Sequence, residues 1–312
     1  MATISSITTT YAGEYKNKII SAALLSGNTI ANGGITVKPN IKYKEVVKKL
    51  AIGAMSADAT CDFTAASSVT LTERILQPEE FQVNLQLCKK DFRNDWEAIS
   101  MGLSVFDNLP KNFQDYLVGV IAAKVAQEQE ISIWRGVNAT AGQYDGFVTL
   151  ATADAAVLDV TGAVGGVTSA NVVTEIGNVV DSIPSALYGS PDLKIYAAQN
   201  VVKAYVRSLG GFGASGLGAN GTNAQGTQWY NNGDLTFDGV PIFMANGMAD
   251  SYMVAAEKDN LWYGTGILND STEVKVIDMA DLDGSQNVRV VMRYTAGVQY
   301  GIGSEIVLYT PS

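Results

Sequence analysis

Residues 109–136 read LPKNFQDYLVGVIAAKVAQEQEISIWRG, the longest run between two clear stop signals. Asn108 suits an N-cap, because its side-chain oxygen accepts from an orphan N–H of the first turn, and Pro110 suits the opening turn. Gly136 closes the run, since glycine adopts the left-handed C′ conformation without a Cβ clash. Phe113, Leu117, Val120, Ile131 and Trp134 fall on one stripe at helical spacing, with Lys124 and Gln127 interrupting it. Ile121, Val125 and several alanines widen the apolar surface of the first half, whereas QEQE at 127–130 makes the second half more polar. The pattern predicts a long helix lying across a sheet as a spine, with one end left for a neighbour. Nothing on it has the character of a catalytic group.

Upstream, residues 50–92 are rich in Thr, Val and Ser and alternate in places. Val69, Leu71 and Glu73 share one parity, and Phe81, Val83, Leu85 and Leu87 share another. The spacing predicts two strands joined around Gln77-Pro78-Glu79-Glu80 as a long β-hairpin or ribbon, which is marginal unless another surface covers it. Before it, residues 1–45 are Thr-, Ser-, Asn- and Gly-rich with one amphipathic segment at Tyr15–Leu25, the texture of an arm ordered by a partner surface. Lys42, Lys44, Lys48 and Lys49 form the densest basic cluster, a solvated edge or a contact for an acidic neighbour. Downstream, Phe147–Leu150 is expected to start a short strand and residues 151–165 to be a weak linker. An α/β rhythm follows: a helix over Ala170–Ile183 with Val173, Ile176, Val180 and Ile183 on one stripe, a buried strand over Leu193–Ala197, and a helix over Asn200–Leu209. The last third is strand-rich, with segments at Leu235–Phe237, Val240–Met244, Tyr252–Ala256, Glu273–Ile277, Val288–Val298 and Glu305–Tyr309. Asp238-Gly239 and Asp283-Gly284 mark tight turns.

Composition excludes several classes of chemistry. The 312 residues are 47% hydrophobic and 17% charged, enough for a large core in one domain or two. There is no histidine, so the commonest general base and metal ligand are missing, and only Cys61 and Cys88 offer soft ligands. Two cysteines fit a reducing compartment rather than a disulfide framework. A net charge of −10 argues against a basic groove for nucleic acid. No signal peptide and no apolar run of bilayer-spanning length stands out, so a soluble protein without a membrane partner is expected.

The remaining motifs fail on context. Asp91, Asp95 and Glu97 are read as helix-start acids rather than an acid–base pair or a calcium site. Gly211, Gly213 and Gly216 satisfy G-x-G-x-x-G formally, but a helix precedes them where a nucleotide fold needs a strand. A mobile surface loop is the better reading. Asp281, Asp283 and Asn287 lack the spacing of an EF-hand, and a turn explains them. Cys88 lies on the polar parity of its strand and is read as passive. No catalytic residue, metal ligand or cofactor site is assigned, and no enzyme activity is expected.

The order of parts, with a few local phrases, resembles the HK97-type major capsid proteins of tailed bacteriophages. EQEISIWRG (128–136) followed by YDGFVTL (144–150) is similar to the end of that family's spine helix and the turn after it. IPSALYGSPDLKIYAAQNVVKAYVRSL (183–209) resembles the helix–strand–helix step of its axial domain. FDGVPIFMANGM (237–248) and MVAAEKDNLWYGTGILND (253–270) resemble its strand pair, and MRYTAGVQYGIGSEIVLY (292–309) its closing strands. The resemblance implies an α+β capsid fold. It makes residues 1–45 an N-terminal arm, 46–92 an extended loop overlapping a neighbouring subunit, and 93–165 a peripheral domain with the spine helix 109–136. Residues 166–285 would be an axial domain around five- and six-fold axes, and 286–312 strands returning to the peripheral domain. It further implies self-assembly through pentamers and hexamers into an icosahedral shell around double-stranded DNA, in the bacterial cytoplasm, with portal and scaffolding partners. Residues 51–88 hold no lysine, which speaks against the lysine–asparagine crosslink of some members. The lack of a long helical leader before the arm points to a separate scaffold. Two alternatives stay open: an encapsulin-like nanocompartment shell, and a nucleotide-dependent enzyme using the glycine-rich loop 210–221.

Overall fold

The computed structural model describes residues 27–52, 56, 69–88, 111–210, 235–266 and 274–312. The Asn108 cap, Pro110, Cys61, the Asp91, Asp95 and Glu97 acids, the segment Tyr15–Leu25 and the 211–221 glycine loop lie outside these residues.

The chain enters through a helical turn, α1 (Asn28–Ala31), and a short strand, β1 (Thr36–Lys38). Two strands then form a ribbon, β2 (Glu45–Ile52) and β3 (Val69–Leu76), followed by β4 (Glu79–Cys88) and the spine α2 (Lys111–Arg135). A short helix α3 (Phe147–Ala153) and β5 (Leu158–Thr161) lead to the α/β block of α4 (Val172–Asp181), β6 (Leu193–Ala198) and α5 (Gln199–Gly210). The last third comprises β7 (Thr236–Phe237), β8 (Val240–Ala245), β9 (Met253–Glu257), β10 (Leu261–Gly264) and β11 (Val274–Asp278). A helical turn α6 (Ala280–Asp283), the long β12 (Asn287–Tyr300) and β13 (Val307–Thr310) complete it.

Among the described residues the strands make two body sheets and one free-standing pair. One sheet runs β1–β10–β12–β11, with β4 also pairing β12; the other runs β5–β13–β9–β6–β8–β7; β2 and β3 pair only with each other. The parallel pair β6/β8 needs a crossover, which α5 begins.

The spine ties the two sheets together. Val118, Ile121, Ala122 and Val125 pack against Val274, Val276, Val288, Val290 and Met292 of the first sheet. About two turns later Ile133 and Trp134 belong to the larger core, with Tyr196, Val254 and Leu308 of the second sheet. The buried face is therefore rotated from the expected stripe. Val120 is 48% exposed, and Lys124 and Gln127 mark the solvent side rather than interrupting a core face. In and just after α4 the expected Ile176, Val180 and Ile183 are buried, whereas Val173 is 47% exposed and Val172 and Val179 widen the buried face instead. Alternative stripes differ there by one valine, so tertiary packing chose between them.

Three local expectations are corrected. β3 and β4 are not a hairpin: β3 pairs with β2 from Glu45↔Leu76 to Ile52↔Val69, and β4 pairs with β12 from Asn287↔Cys88 to Ala296↔Glu79. The chain re-enters the body at Leu76, which is fully buried. It turns through Gln77-Pro78 over Gly297, where a Cβ would lie 3.0 Å from both the Gln77 carbonyl oxygen and Pro78 Cα. Phe147–Leu150 is helical, not extended. Its Phe147 and Ala151 are buried one turn apart, and the Thr149 hydroxyl donates to the Gly136 carbonyl at 2.7 Å. A four-residue apolar run has no period that separates the two states. The 151–165 linker contains β5, which joins the second sheet in parallel with β13. Gly136 does end the spine, but by close approach instead of left-handed backbone: a Cβ there would sit 2.2 Å from the Tyr144 carbonyl. The Asp238-Gly239 turn has the two positive φ angles, 46° and 82°, of a tight hairpin.

Candidate assembly interface

Two features stand out: the β2–β3 ribbon, which pairs only with itself among the described residues, and the segment before β1, which is seated on the spine. Their faces and roots define what this surface offers.

The ribbon is two-faced because side chains alternate along a strand. On one face Lys44, Val46 and Lys48 of the β2 side lie with Glu73, Ile75 and Gln77 of the β3 side, and all six are exposed. Val46 and Ile75 are direct cross-strand partners, 46% and 43% exposed, with Tyr43 beside them at 71%. On the other face Glu45, Val47, Arg74 and Leu76 turn toward the body. Lys44 and Lys48 of the lysine cluster thus line the exposed face, with Lys38 Nζ tied to Glu45 at 2.7 Å at the ribbon's root.

Arg74 secures the second strand. Its guanidinium pairs with Asp154 and lies 4.9 Å from the Tyr300 ring centroid. The Tyr300 hydroxyl donates to Asp154 at 2.9 Å, and the Ala156 N–H donates to the other carboxylate oxygen at 3.0 Å. Burial pushes the Asp154 carboxyl up, but these hydrogen bonds and the Arg74 charge outweigh it and hold it below the usual carboxylate range. Below this node Leu76 packs on Gly264, where an added Cβ would meet Leu76 Cδ2 at 3.0 Å.

The N-terminal segment is seated on the spine. Thr29 is fully buried and donates its backbone N–H to Glu130 Oε2 at 3.2 Å and its hydroxyl to Glu130 Oε1. Trp134 Nε1 donates to the same hydroxyl at 2.8 Å. The Asn28 side chain donates to the Met244 carbonyl and accepts from the Asn246 N–H at 3.2 Å. Burial raises the Glu130 carboxyl above its usual value against the pull of its hydrogen bonds.

Thr29, Arg74, Glu130 and Asp154 escaped the reading of the sequence. Glu130 was readable in principle: it shares a helical stripe with Ala126 and Trp134, and a glutamate inside an apolar stripe needs a buried partner. Its neighbours in QEQE split, Gln127 and Glu128 facing solvent while Gln129 and Glu130 are buried. The other motifs hold structural roles where described. Cys88 ends β4, half-buried, opposite Asn287. Asp283 spends its carboxylate on the Ser285 N–H at 2.9 Å, inside a turn closed by Gly284 at φ 72°.

No family model and no curated protein matches the chain. Solved structures do. The capsid of a native GTA particle is matched over 93% of this chain and 96% of that one, at 14% identity and a TM-score of 0.60. A chain of Gordonia phage Cozz is matched over 91% and 86%, at 12% identity and 0.57. The satellite phage P4 procapsid with its size-determination protein is matched over 94% and 96%, at 12% identity and 0.55. At these identities the likeness is one of fold, and it covers more than nine-tenths of the chain. The chain has the HK97-type fold of phage capsid proteins.

Proposed function

We propose that this chain is the major capsid protein of a tailed bacteriophage. Copies self-assemble through pentamers and hexamers into an icosahedral shell that encloses double-stranded DNA. The observation that carries the proposal is the near-complete overlap with capsid chains in a molecule whose ribbon stands off its own body with an apolar, lysine-bearing face. In this reading the function resides in surfaces between copies, and the chain is not an enzyme.

The parts take the following roles. Residues 1–45 are an arm, and 46–92 carry the extended loop, of which β2 and β3 form the projecting ribbon. Residues 93–165 form the peripheral region with the spine, 166–285 the axial region facing the symmetry axes, and 286–312 the returning strands. The shell is built in the bacterial cytoplasm around a separate scaffold and takes a portal at one vertex. The genome is held without sequence-specific contacts, in keeping with a net charge of −10.

Electron microscopy of the full-length protein, expressed with and without a candidate scaffolding protein, tests the proposal. Closed shells, or pentamers and hexamers, are expected. A uniform monomer or dimer in both samples would overturn it. Shells packed with a cargo enzyme in place of DNA would move the assignment to a nanocompartment.

A further inference from the structure

Glu130 is the least expected side chain on the spine. It is 4% exposed on a stripe shared with Ala126 and Trp134. An ionised carboxylate is costly to bury unless donors replace its water, so the donors it uses indicate its purpose. They come from two segments distant in sequence. The N-terminal segment supplies the Thr29 N–H and hydroxyl, and the turn between β8 and β9 supplies the Gly247 N–H.

The donor order is fixed by proton count. The Thr29 hydroxyl has one hydrogen, which goes to Glu130, so its lone pair receives the Trp134 indole N–H. A carboxylate offers acceptor sites to all these donors at once, whereas a glutamine offers one oxygen and adds two donors of its own. Glycines allow the approach from both sides. A Cβ on Gly27 would lie 2.9 Å from Glu130 Oε2, and one on Gly247 would lie 1.9 Å from the Glu130 carbonyl oxygen.

We infer that Glu130 is a positioning residue: this one buried carboxylate seats Gly27–Ala31 on the spine. The rest of the hold consists of the Asn28 contacts to the same β8–β9 region, the Tyr196 hydroxyl on the Gly34 carbonyl, Ile30 and Ile35 packed in the larger core, and β1 with the Thr36 hydroxyl on Asp259. Without the carboxylate, three buried donors lose their acceptor together and the segment lifts. This deepens the shell reading, on which its consequence for particles rests, but the seating itself is measured on unassembled chains.

The experiment is hydrogen exchange on the full-length protein before assembly, comparing wild type with Glu130→Gln, Thr29→Val and Thr29→Ser. Exchange over residues 27–35 is expected to rise at least tenfold in Glu130→Gln and Thr29→Val and to stay near wild type in Thr29→Ser. β6 and β12 should keep their protection in all three. Unchanged exchange over 27–35 in the first two variants, or an equal rise across β6 and β12, would overturn the inference and leave Glu130 an ordinary core residue. Thr29→Val leaves the spine untouched and keeps the test decisive if Glu130→Gln fails to fold. Failure of the wild-type chain to form particles would count against the shell reading alone.

Discussion

Single residues fix the root of the ribbon to the body, and Asp154 is the clearest case. It joins β3, β12 and the turn after α3 through Arg74, Tyr300 and the Ala156 N–H. Asp154→Ala should cost about 1–2 kcal/mol in urea unfolding, the scale of hydrogen bonds lost at a partly buried site. Asp154→Asn should cost less, because Arg74 is partly exposed and solvent screens the pair. The folded-state pKa is depressed from about 3.9 in an unfolded chain. Its contribution is therefore complete above the unfolded value and is lost as pH falls through the folded one. Stability measured from pH 6 downward should show this acid loss in wild type, and Asp154→Asn should flatten it. Gly247→Ala is the severe case. Its Cβ would collide with spine backbone atoms that cannot swing aside, and a fall of 3 kcal/mol or so, beyond ordinary overpacking, is expected from thermal melts.

At the scale of elements, the ribbon separates from the body at a definable line. Val47 and Arg74 are cross-strand partners, and everything distal to them pairs only within β2 and β3 among the described residues. Replacing residues 48–73 by an Asn-Gly turn joins two positions already at hairpin distance. The shortened chain should remain soluble, melt within a few degrees of wild type, and form no closed particles by electron microscopy. Normal particles would show that the ribbon is dispensable. A cut reaching into β4 would be a different experiment, because β4 belongs to the first body sheet through ten register pairs with β12.

For the whole molecule, the spine decides how the sheets behave together. Its Val118–Val125 stretch packs on the β11/β12 part of the first sheet and its last turn sits in the larger core, to which strands of both sheets contribute, so neither sheet keeps a complete core without it. Calorimetry should show one cooperative transition, with calorimetric and van't Hoff enthalpies agreeing. Two resolved transitions would show that the sheets fold independently. The deep core around Trp134, Tyr196 and Phe147, with ring centroids 5.2–5.6 Å apart, is where the spine's grip on the second sheet is concentrated.

Local signals in the sequence determined the spine, the α/β step from α4 to α5, most strands of the last third and the Asp238-Gly239 turn. Each rests on periodicity or turn chemistry contained within about a dozen residues. The absence of histidine ruled out His-dependent triads and argued against a catalytic zinc site before any fold was known. Only tertiary structure decided which valines of α2 and α4 are buried, because adjacent stripes were nearly equal in hydrophobicity. It also decided that β3 pairs with β2 and β4 with β12: strand pairing is a choice among distant partners, and alternation names a strand's faces without naming its neighbour. The seat at Glu130 and the node at Asp154 were hidden for the same reason. Their partners lie 101 and 80 positions away along the chain, and a buried charge shows its purpose only when those donors arrive.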